Sequence, residues 1–274
     1  NNIELCSIIN AKSGLCTEDC KFCAQSARYK TGINIYPLKD KDEIIQTAER
    51  AREIGAQKFG IVTSGNTLNK EEIQKIGEAV KYIKENINIS VCASLGKLEK
   101  EDLVYLKESG LTRYHHNIET SKDFYPRIVT THKFEERINT IRYAKEVGLE
   151  VCSGGIIGLG EGWDDRINMA YTLKELNVDS VPLNILVPIK GTPLENIERI
   201  SAMDAIKTIA IFRIILKDKI IKVAAGRESA LKDFQGIIYM AGANGMLIGG
   251  YLTIAGREVE EDKKLIKEIE SLWI

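Results

Sequence analysis

The segment "KDEIIQTAERAREIG" (41–55), followed after two residues by "KFGIVTS" (58–64), sets the pattern of this chain. The first stretch places apolar residues at helical spacing and ends in glycine, which is typical of an amphipathic helix. The second is a short apolar run with polar ends, which is typical of a buried parallel strand. A helix followed at once by a strand predicts one repeat of an alternating α/β fold.

The same alternation continues along all 274 residues, for example in the helical segment 133–148. Eight apolar runs fit strands, at 5–10, 58–64, 89–95, 113–120, 150–158, 180–187, 221–226 and 245–250. A doubly wound open sheet would alternate in the same way, but eight repeats over this length favour a closed (β/α)8 TIM-type barrel. Because no linker or low-complexity tract divides the chain, we expect a single domain spanning residues 1–274.

Charge and composition exclude several classes of partner. The 38 basic and 39 acidic residues nearly cancel, so no general attraction to nucleic acid or to an acidic membrane is expected. The chain does not start with a basic region and an apolar run, and no apolar stretch reaches the roughly 18 residues of a membrane span. We therefore expect a cytoplasmic protein. Six cysteines in a chain of this length predict metal or redox chemistry rather than a disulfide scaffold.

Three of these cysteines, Cys16, Cys20 and Cys23, lie within the short stretch "CTEDCKFC". The C-x3-C-x2-C spacing lets one loop hold three corners of a cubane 4Fe-4S cluster and leaves the fourth iron open to a substrate or cosubstrate. A zinc site completed by a distant residue and a set of unrelated buried thiols are the alternatives. Zinc sites usually add a second close ligand pair, and this loop contains no histidine, so the spacing favours the cluster.

The spacing resembles the signature of the radical S-adenosylmethionine superfamily, and further motifs resemble the biotin synthase family within it. In chain order these are "CKFCAQSARYKTG" (20–32), "RYHHNIETSKDFYPRIVTTHKFEERINTI" (113–141), "VCSGGIIGLGE" (151–161), "VPLNILVPIKGTPLE" (181–195), "AGRE" (225–228) and "MAGANG" (240–245). The resemblance covers nearly the whole chain.

This resemblance implies a sulfurtransferase that converts dethiobiotin to biotin. S-adenosylmethionine would bind the open iron and be cleaved to methionine and a 5'-deoxyadenosyl radical, and an auxiliary iron-sulfur cluster would donate the sulfur. A reductant protein such as flavodoxin or ferredoxin and a homodimeric assembly are implied in the same way.

The resemblance also assigns the S-adenosylmethionine contacts. Asn117 and Glu119 would hold the ribose hydroxyls, although the family commonly has Asp where Glu119 stands. Arg137 would lie near the methionine carboxylate, while Phe22 and Ile156 would flank the adenine. An amide and a carboxylate suit hydroxyl groups, and a guanidinium suits a carboxylate. Without the resemblance, Arg137 would be interpreted as a solvated charge on a helix.

Four residues are implied as dethiobiotin contacts. Asn184 would hydrogen-bond the ureido ring, and Asn117 would contribute beside it. His115 stands where the family often has Asn, and Thr253 falls near the segment that holds the substrate carboxylate. Because adjacent residues in a strand point to opposite faces, only one of the paired histidines 115 and 116 is expected to face the substrate.

The auxiliary cluster is where the chain departs from the family. Many members use three cysteines and an arginine, of which Cys92 and Cys152 match, but Gly60 and Lys222 occupy the other two positions. Cys6 on the first predicted strand offers a replacement thiol. Our hypothesis is that Cys6, Cys92 and Cys152 hold a relocated four-iron cluster with an extra sulfide, favoured over a 2Fe-2S centre, with Lys222 beside it. Isolated buried thiols are the alternative.

Two other functions remain open at this level. One is a related radical enzyme on the same barrel, such as a maturase or a rearrangement enzyme with another substrate. The other is a non-catalytic iron-sulfur sensor that binds S-adenosylmethionine. A sensor requires an output module, and the sequence has no apparent DNA-binding or interaction segment.

Overall fold

The computed structural model describes residues 3–250, 252 and 256–272. Within these residues the chain forms nine strands and nine α-helices. The strands are β1 (Glu4–Lys12), β2 (Lys58–Thr63), β3 (Ser90–Ser94), β4 (Arg113–His115), β5 (Glu150–Cys152), β6 (Gly155–Ile157), β7 (Ser180–Ile185), β8 (Ile220–Val223) and β9 (Gly245–Leu247). The helices are α1 (Lys41–Glu53), α2 (Lys70–Asn86), α3 (Lys100–Ser109), α4 (Phe134–Glu146), α5 (Trp163–Glu175), α6 (Ala202–Leu216), α7 (Arg227–Leu231), α8 (Ile237–Met240) and α9 (Val259–Ser271).

All strand pairs are parallel, in the order β5-β4-β3-β2-β1-β9-β8-β7-β6. A further pairing of Cys152 in β5 with Ser180 in β7 closes the sheet. Because β5 and β6 are separated by two residues and share one place in the ring, the nine strands fill eight positions. The predicted (β/α)8 barrel is confirmed, and each predicted apolar run contains or overlaps a strand.

The fifth strand is interrupted where the sequence predicted one continuous run over 150–158. At Gly154 a Cβ atom would lie 1.9 Å from the carbonyl oxygen of Pro182, and at Gly155 it would lie 2.3 Å from that of Glu119. Two neighbouring backbones therefore approach the chain so closely that only glycine fits. This approach breaks the strand into β5 and β6.

Local signals explain the helix ends. The side chain of Asp40 accepts a hydrogen bond from the Glu43 N–H at the start of α1. Asn69 and Glu72 form a reciprocal capping box at the start of α2. Both arrangements satisfy backbone donors that the first turn leaves without partners. The two long predicted helical segments, 41–55 and 133–148, are confirmed as α1 and α4, each ending two residues earlier.

Alternation along β2 shows how the barrel wall divides its two faces. Phe59 and Ile61 are fully buried in the apolar layer with the helices, whereas Lys58, Gly60 and Val62 line the interior cavity. The inner face of the strands is therefore available for function.

The part of the chain that the structure describes contains no helix with the length and apolar content needed to cross a bilayer.

Candidate active site

One cavity of about 460 Å³ begins at the carboxyl ends of the strands and continues into the barrel. All six cysteines line it. An outer set lies on the loop after β1, and an inner set lies on β1, β3 and β5; these are Cys16, Cys20 and Cys23, and Cys6, Cys92 and Cys152. The structure thus brings two groups of three thiols to one cavity, and their roles as cluster ligands remain predictions.

The outer cysteine loop is fastened to the segment before α4. The carboxylate of Asp19 accepts hydrogen bonds from the backbone N–H groups of Thr130 and Thr131, at 2.9 and 3.2 Å. The backbone N–H of Lys21 donates to the carbonyl of Ile128 at 3.0 Å. Loop and segment therefore hold one another in place, which fixes the directions of the thiols.

The donor set of this loop fits an iron-sulfur cluster with one accessible iron. Cys16 and Cys23 are half-buried and Cys20 is buried, and all three face the cavity. Burial raises the pKa of the Cys20 thiol, and burial raises that of Cys23 to about 11. Iron binds the thiolate, so loading the loop releases protons. Among the described residues, no three His, Cys, Asp or Glu side chains surround a point suited to a single metal ion.

The predicted ribose contacts lie just past β4, where the chain leaves the sheet. The backbone N–H of Ile118 donates to the carbonyl of Gly154 at 3.0 Å, and that of Ile156 donates to the carbonyl of Glu119 at 2.8 Å. The Asn117 amide accepts from the N–H of Gly154 at 3.1 Å and donates to the Glu119 carboxylate at 3.3 Å. Asn117 and Glu119 are therefore held side by side on the cavity wall.

Glu119 has an unusual backbone conformation. Its φ of 68° lies in the left-handed region that side chains other than Gly, Asn and Asp seldom adopt. Such outliers concentrate at binding and catalytic sites, because only surrounding structure can enforce them. The longer side chain, compared with the family's usual Asp, still reaches both Asn117 and the guanidinium of Arg137, the latter at 3.5 Å.

Arg137 is a half-buried residue of this site, with 14% of its side chain exposed. Its Nε donates to the Tyr125 hydroxyl at 2.6 Å, and its Nη1 donates to the carbonyl of Asn117 at 2.9 Å. Its Nη2 lies 3.2 Å from Nε2 of His132. The alternative interpretation, a solvated charge on α4, is wrong because the side chain points into the barrel mouth and every described partner belongs to that wall.

The predicted adenine contacts lie on the same cavity. Phe22 and Ile156 are half-buried, line the cavity and pack against the apolar core. The glutamate at the end of the "GGIIGLGE" run has a structural part. Glu161 accepts hydrogen bonds from the backbone of Gly158 at 2.9 Å and Leu159 at 2.6 Å, and from Arg166 at 2.7 Å. Its carboxylate therefore fixes the loop that follows β6.

Asn184 on β7 also lines the cavity. Its amide oxygen accepts from the N–H of Ala225 at 3.1 Å, and its amide nitrogen lies 3.4 Å from the carbonyl of Gly155. The side chain is thereby oriented between β6 and the end of β8, with one further donor and acceptor for a ligand. The predicted contact Thr253 lies outside the described residues.

The two adjacent histidines have different surroundings. His116 is buried and stacks on Tyr114, with ring centroids 6.4 Å apart. His115 is half-buried, lines the cavity and hydrogen-bonds the Cys152 thiol. The structure therefore places His115 beside an inner cysteine on the cavity wall, and its substrate contact stays a prediction.

The inner cysteines converge from three strands. They lie close enough that Cys6 and Cys152 each influence the ionisation of Cys92. Gly60, at the position of the missing family cysteine, pairs in register with Ile8 on β1 and with Cys92 on β3. Cys6 therefore lies on β1, two residues before Ile8, the register partner of Gly60.

Charged neighbours distinguish the inner thiols from one another. Burial raises the pKa of Cys6 and raises that of Cys92 to about 12. Burial also raises the pKa of Cys152, but the charges of Lys222 and Arg113 and a hydrogen bond with His115 outweigh it and lower this pKa to about 6. Cys152 is therefore the inner thiol most readily converted to thiolate.

An ion network around the buried cations Arg113 and Lys222 adjoins this inner site. Arg113 donates to both carboxylate oxygens of Glu4, at 2.8 and 3.3 Å, and to Glu150 at 2.8 Å. Lys222 lies 2.8 Å from Glu4 and 2.9 Å from the Cys6 sulfur. Burial raises the pKa of Glu4, but Arg113 and Lys222 outweigh it and lower it to about 2. Sequence reasoning missed Glu4 and Arg113, whose signal was a charge within or beside an apolar strand.

Comparison with known proteins identifies two family domains and a related fold. The Radical SAM superfamily matches residues 12–173, and the Biotin and Thiamin Synthesis associated domain matches residues 182–271. A crystal structure of methylornithine synthase superposes with a TM-score of 0.83 at 21% identity, covering 100% of this chain and 83% of that one. At this identity the superposition shows the fold alone.

Two curated relatives are much more similar in sequence. A biotin synthase of Thermotoga petrophila is 54% identical over 271 residues, covering 98% of this chain and 90% of the relative. A biotin synthase of Thermotoga neapolitana is 52% identical over 273 residues, covering 99% and 98%. Identity of this extent over nearly the whole length places the chain in a family. It belongs to the biotin synthase family of the radical SAM superfamily.

Proposed function

We propose that this chain is a radical sulfurtransferase that inserts a sulfur atom into dethiobiotin to form biotin. Family membership implies a 4Fe-4S cluster, S-adenosylmethionine and dethiobiotin. The observation that carries the proposal is the presence of two sets of three cysteines on one cavity, with Asn117, Glu119 and Asn184 on its wall. A radical generator and a sulfur donor must face the same substrate, and this arrangement allows it.

In this proposal Cys16, Cys20 and Cys23 hold the 4Fe-4S cluster. When bound and reduced, the cluster supplies the electron that splits S-adenosylmethionine into methionine and a 5'-deoxyadenosyl radical. Asn117 and Glu119 bind the ribose hydroxyls; the backbone of Gly154 already orients Asn117, and the side chains of Asn117 and Arg137 orient Glu119. Such fixed polar groups spare a ligand the cost of ordering them.

Arg137 binds the methionine carboxylate. Arg has five N–H donors, and its contacts with Tyr125, Asn117 and His132 engage three of them. The other two, one on each terminal nitrogen, remain for Glu119 and for an incoming carboxylate. Phe22 and Ile156 supply apolar surface for the adenine and exclude water from a reactive radical.

The inner cysteines Cys6, Cys92 and Cys152 hold the auxiliary cluster that donates sulfur. A four-iron cluster with an extra sulfide is favoured over a 2Fe-2S centre, because three thiols leave one corner for that sulfide. Lys222 is a poor substitute for a ligating arginine, since its ammonium must lose a proton to coordinate iron and is instead paired with Glu4. It acts as a charge and hydrogen-bond donor to sulfur.

Asn184, His115, Asn117 and Thr253 are proposed as the dethiobiotin contacts. Asn184 lines the same cavity as the two cysteine sets and has hydrogen-bonding capacity for a ureido group. The proposal also includes a flavodoxin or ferredoxin as reductant, a homodimeric assembly, one domain over residues 1–274 and a place in the cytoplasm.

The test compares wild type, Cys16→Ala and Cys6→Ala after anaerobic reconstitution, using Mössbauer spectroscopy with iron and sulfide analysis. Each cysteine variant serves as the control for the other. We expect two four-iron clusters in wild type, loss of the outer one in Cys16→Ala and loss of the inner one in Cys6→Ala. Incubation with dethiobiotin, S-adenosylmethionine and reductant should then give biotin with wild type only.

The outcomes separate the parts of the proposal. Release of 5'-deoxyadenosine without biotin, from a wild type holding one cluster, would support the radical chemistry and overturn the biotin assignment. Two clusters in Cys6→Ala would overturn the relocated site while leaving the reaction in place.

A further inference from the structure

We propose that His132 is a positioning residue for S-adenosylmethionine, linking the outer cysteine loop to Arg137 through Glu18. The inference rests on the proposed function, because it concerns the residue that would bind the methionine carboxylate. Neither His132 nor Glu18 need touch that ligand. They act by fixing the direction of the guanidinium.

Hydrogen-bond chemistry determines the direction of this chain. The Nη2 of Arg137 lies 3.2 Å from Nε2 of His132, and Nδ1 of His132 lies 2.8 Å from Oε2 of Glu18. A guanidinium only donates, so Nε2 must accept and carries no proton. The proton of the neutral ring is then on Nδ1, where it donates to Glu18. Arg137 therefore donates a hydrogen bond to His132, and His132 donates one to Glu18.

The hydrogen-bonded residues His132 and Glu18 are shielded from solvent, and His132 packs against Tyr125. The side chains of His132 and Glu18 are 5% and 12% exposed. The ring of Tyr125 meets that of His132 edge to face at 6.0 Å, and its hydroxyl accepts from Nε of Arg137 at 2.6 Å. Tyr125, Asn117 and His132 thus hold the guanidinium from three sides. Removing one acceptor leaves an N–H of the guanidinium without a partner. The guanidinium then shifts toward another acceptor.

Glu18 connects this series of hydrogen bonds to the outer cysteine loop. Glu18 lies between Cys16 and Cys20, so it moves with the loop that would carry the cluster. Through His132 the loop therefore sets the orientation of Arg137 on α4. In the proposed function the cluster on the loop and the carboxylate bound by Arg137 contact the same S-adenosylmethionine. His132 keeps the loop and Arg137 in a fixed relative position.

The test uses two amide variants that separate the two ends of the imidazole. His132→Gln places its amide oxygen at the reach of Nε2 and keeps an acceptor for Arg137. His132→Asn is shorter, reaches only the Nδ1 position and keeps a donor for Glu18. Asn139→Ala, on the exposed face of α4, is the control. All are reconstituted anaerobically, and iron content confirms that each holds the outer cluster.

The readout is the S-adenosylmethionine dissociation constant, measured from the change this ligand causes in the EPR spectrum of the reduced cluster. We expect His132→Asn to weaken binding by about tenfold, ~1.4 kcal/mol. His132→Gln keeps the acceptor for Arg137 but loses the link to Glu18, so it should weaken binding by about threefold, ~0.7 kcal/mol, whereas Asn139→Ala should match wild type.

Wild-type affinity in either histidine variant would overturn the inference, as would equal losses in the Gln and Asn variants. A wild-type spectrum that does not respond to S-adenosylmethionine would instead overturn the proposed function, and this inference with it.

Discussion

The Nζ of Lys222 on β8 lies 2.9 Å from the sulfur of Cys6 on β1, although the two residues are 216 positions apart in the chain. The same ammonium contacts Glu4 at 2.8 Å, and Glu4 is also held by both terminal nitrogens of Arg113. Three cations, Lys222, Arg113 and Lys58, face two carboxylates, Glu4 and Glu150, so this network has one positive charge left for sulfur. The inner site is therefore built to hold an anion.

Lys222→Met should lower the iron and sulfide content toward that of the outer cluster alone, because three thiolates and sulfide would lose a buried counter-charge. Lys222→Arg keeps the charge and the donor and is the matched control. Iron analysis with Mössbauer spectroscopy measures the difference. Full inner-cluster content in the Met variant would contradict a role for this charge.

Glu161→Gln should destabilise the protein by about 3 kcal/mol, because a buried pair with Arg166 is broken and two backbone donors lose a charged acceptor. Anaerobic urea denaturation of the cluster-loaded protein measures this. Asp164→Asn, exposed at the start of α5, should change stability by a few tenths of a kcal/mol. Equal stabilities of the two variants would contradict the structural part assigned to Glu161.

Gly154→Ala should cost about 3 kcal/mol or more, because its Cβ would lie 1.9 Å from the backbone oxygen of Pro182. Gly236→Ala is the matched control, since the nearest atom to its Cβ is a side-chain carbon of Leu265 at 3.8 Å. Thermal unfolding of both variants tests the prediction. A Gly154→Ala protein as stable as Gly236→Ala would show that the backbones at Gly154 and Pro182 can move apart with little loss of stability.

Stability should fall as the pH drops below about 6.5, in part through His132. Burial and Arg137 lower its pKa, Glu18 and Glu136 oppose them, and His116 is a further buried imidazole nearby. With a folded pKa below the unfolded one, the unfolded chain binds more protons in this window, so acid favours unfolding.

The measurement is the free energy of unfolding at pH 7.5 and pH 5.5 for wild type and His132→Gln. Wild type should lose more stability than the variant, and the difference isolates His132 from His116. Equal losses in the two proteins would contradict a lowered pKa at His132.

Fold prediction succeeded where burial alone sets the pattern. The apolar runs that became strands such as β2 and β7 are bounded by polar residues, and this periodicity is visible in one segment at a time. The break after Cys152 was not predictable in this way. It depends on how closely Pro182 on another strand approaches Gly154, which local sequence does not record.

The site shows the same division. The spacing of Cys16, Cys20 and Cys23 identifies them as a set, because one short loop carries all three. Arg137 taken alone was a surface charge, since its burial depends on Tyr125 and Asn117 elsewhere in the chain. His132 carried no signal beyond being one of 3 histidines in the sequence.

The two sets of cysteines differ in how far apart they lie in the chain. The outer three span residues 16–23, so bringing them together closes only a short loop. The inner three span residues 6–152 and meet only once β1, β3 and β5 have taken their places. Bringing them together carries the loop-closure entropy of the whole barrel half. In the proposed function, loading of the inner site therefore reports that the barrel has closed, whereas the outer loop needs its local fold and its contacts with residues 128–131.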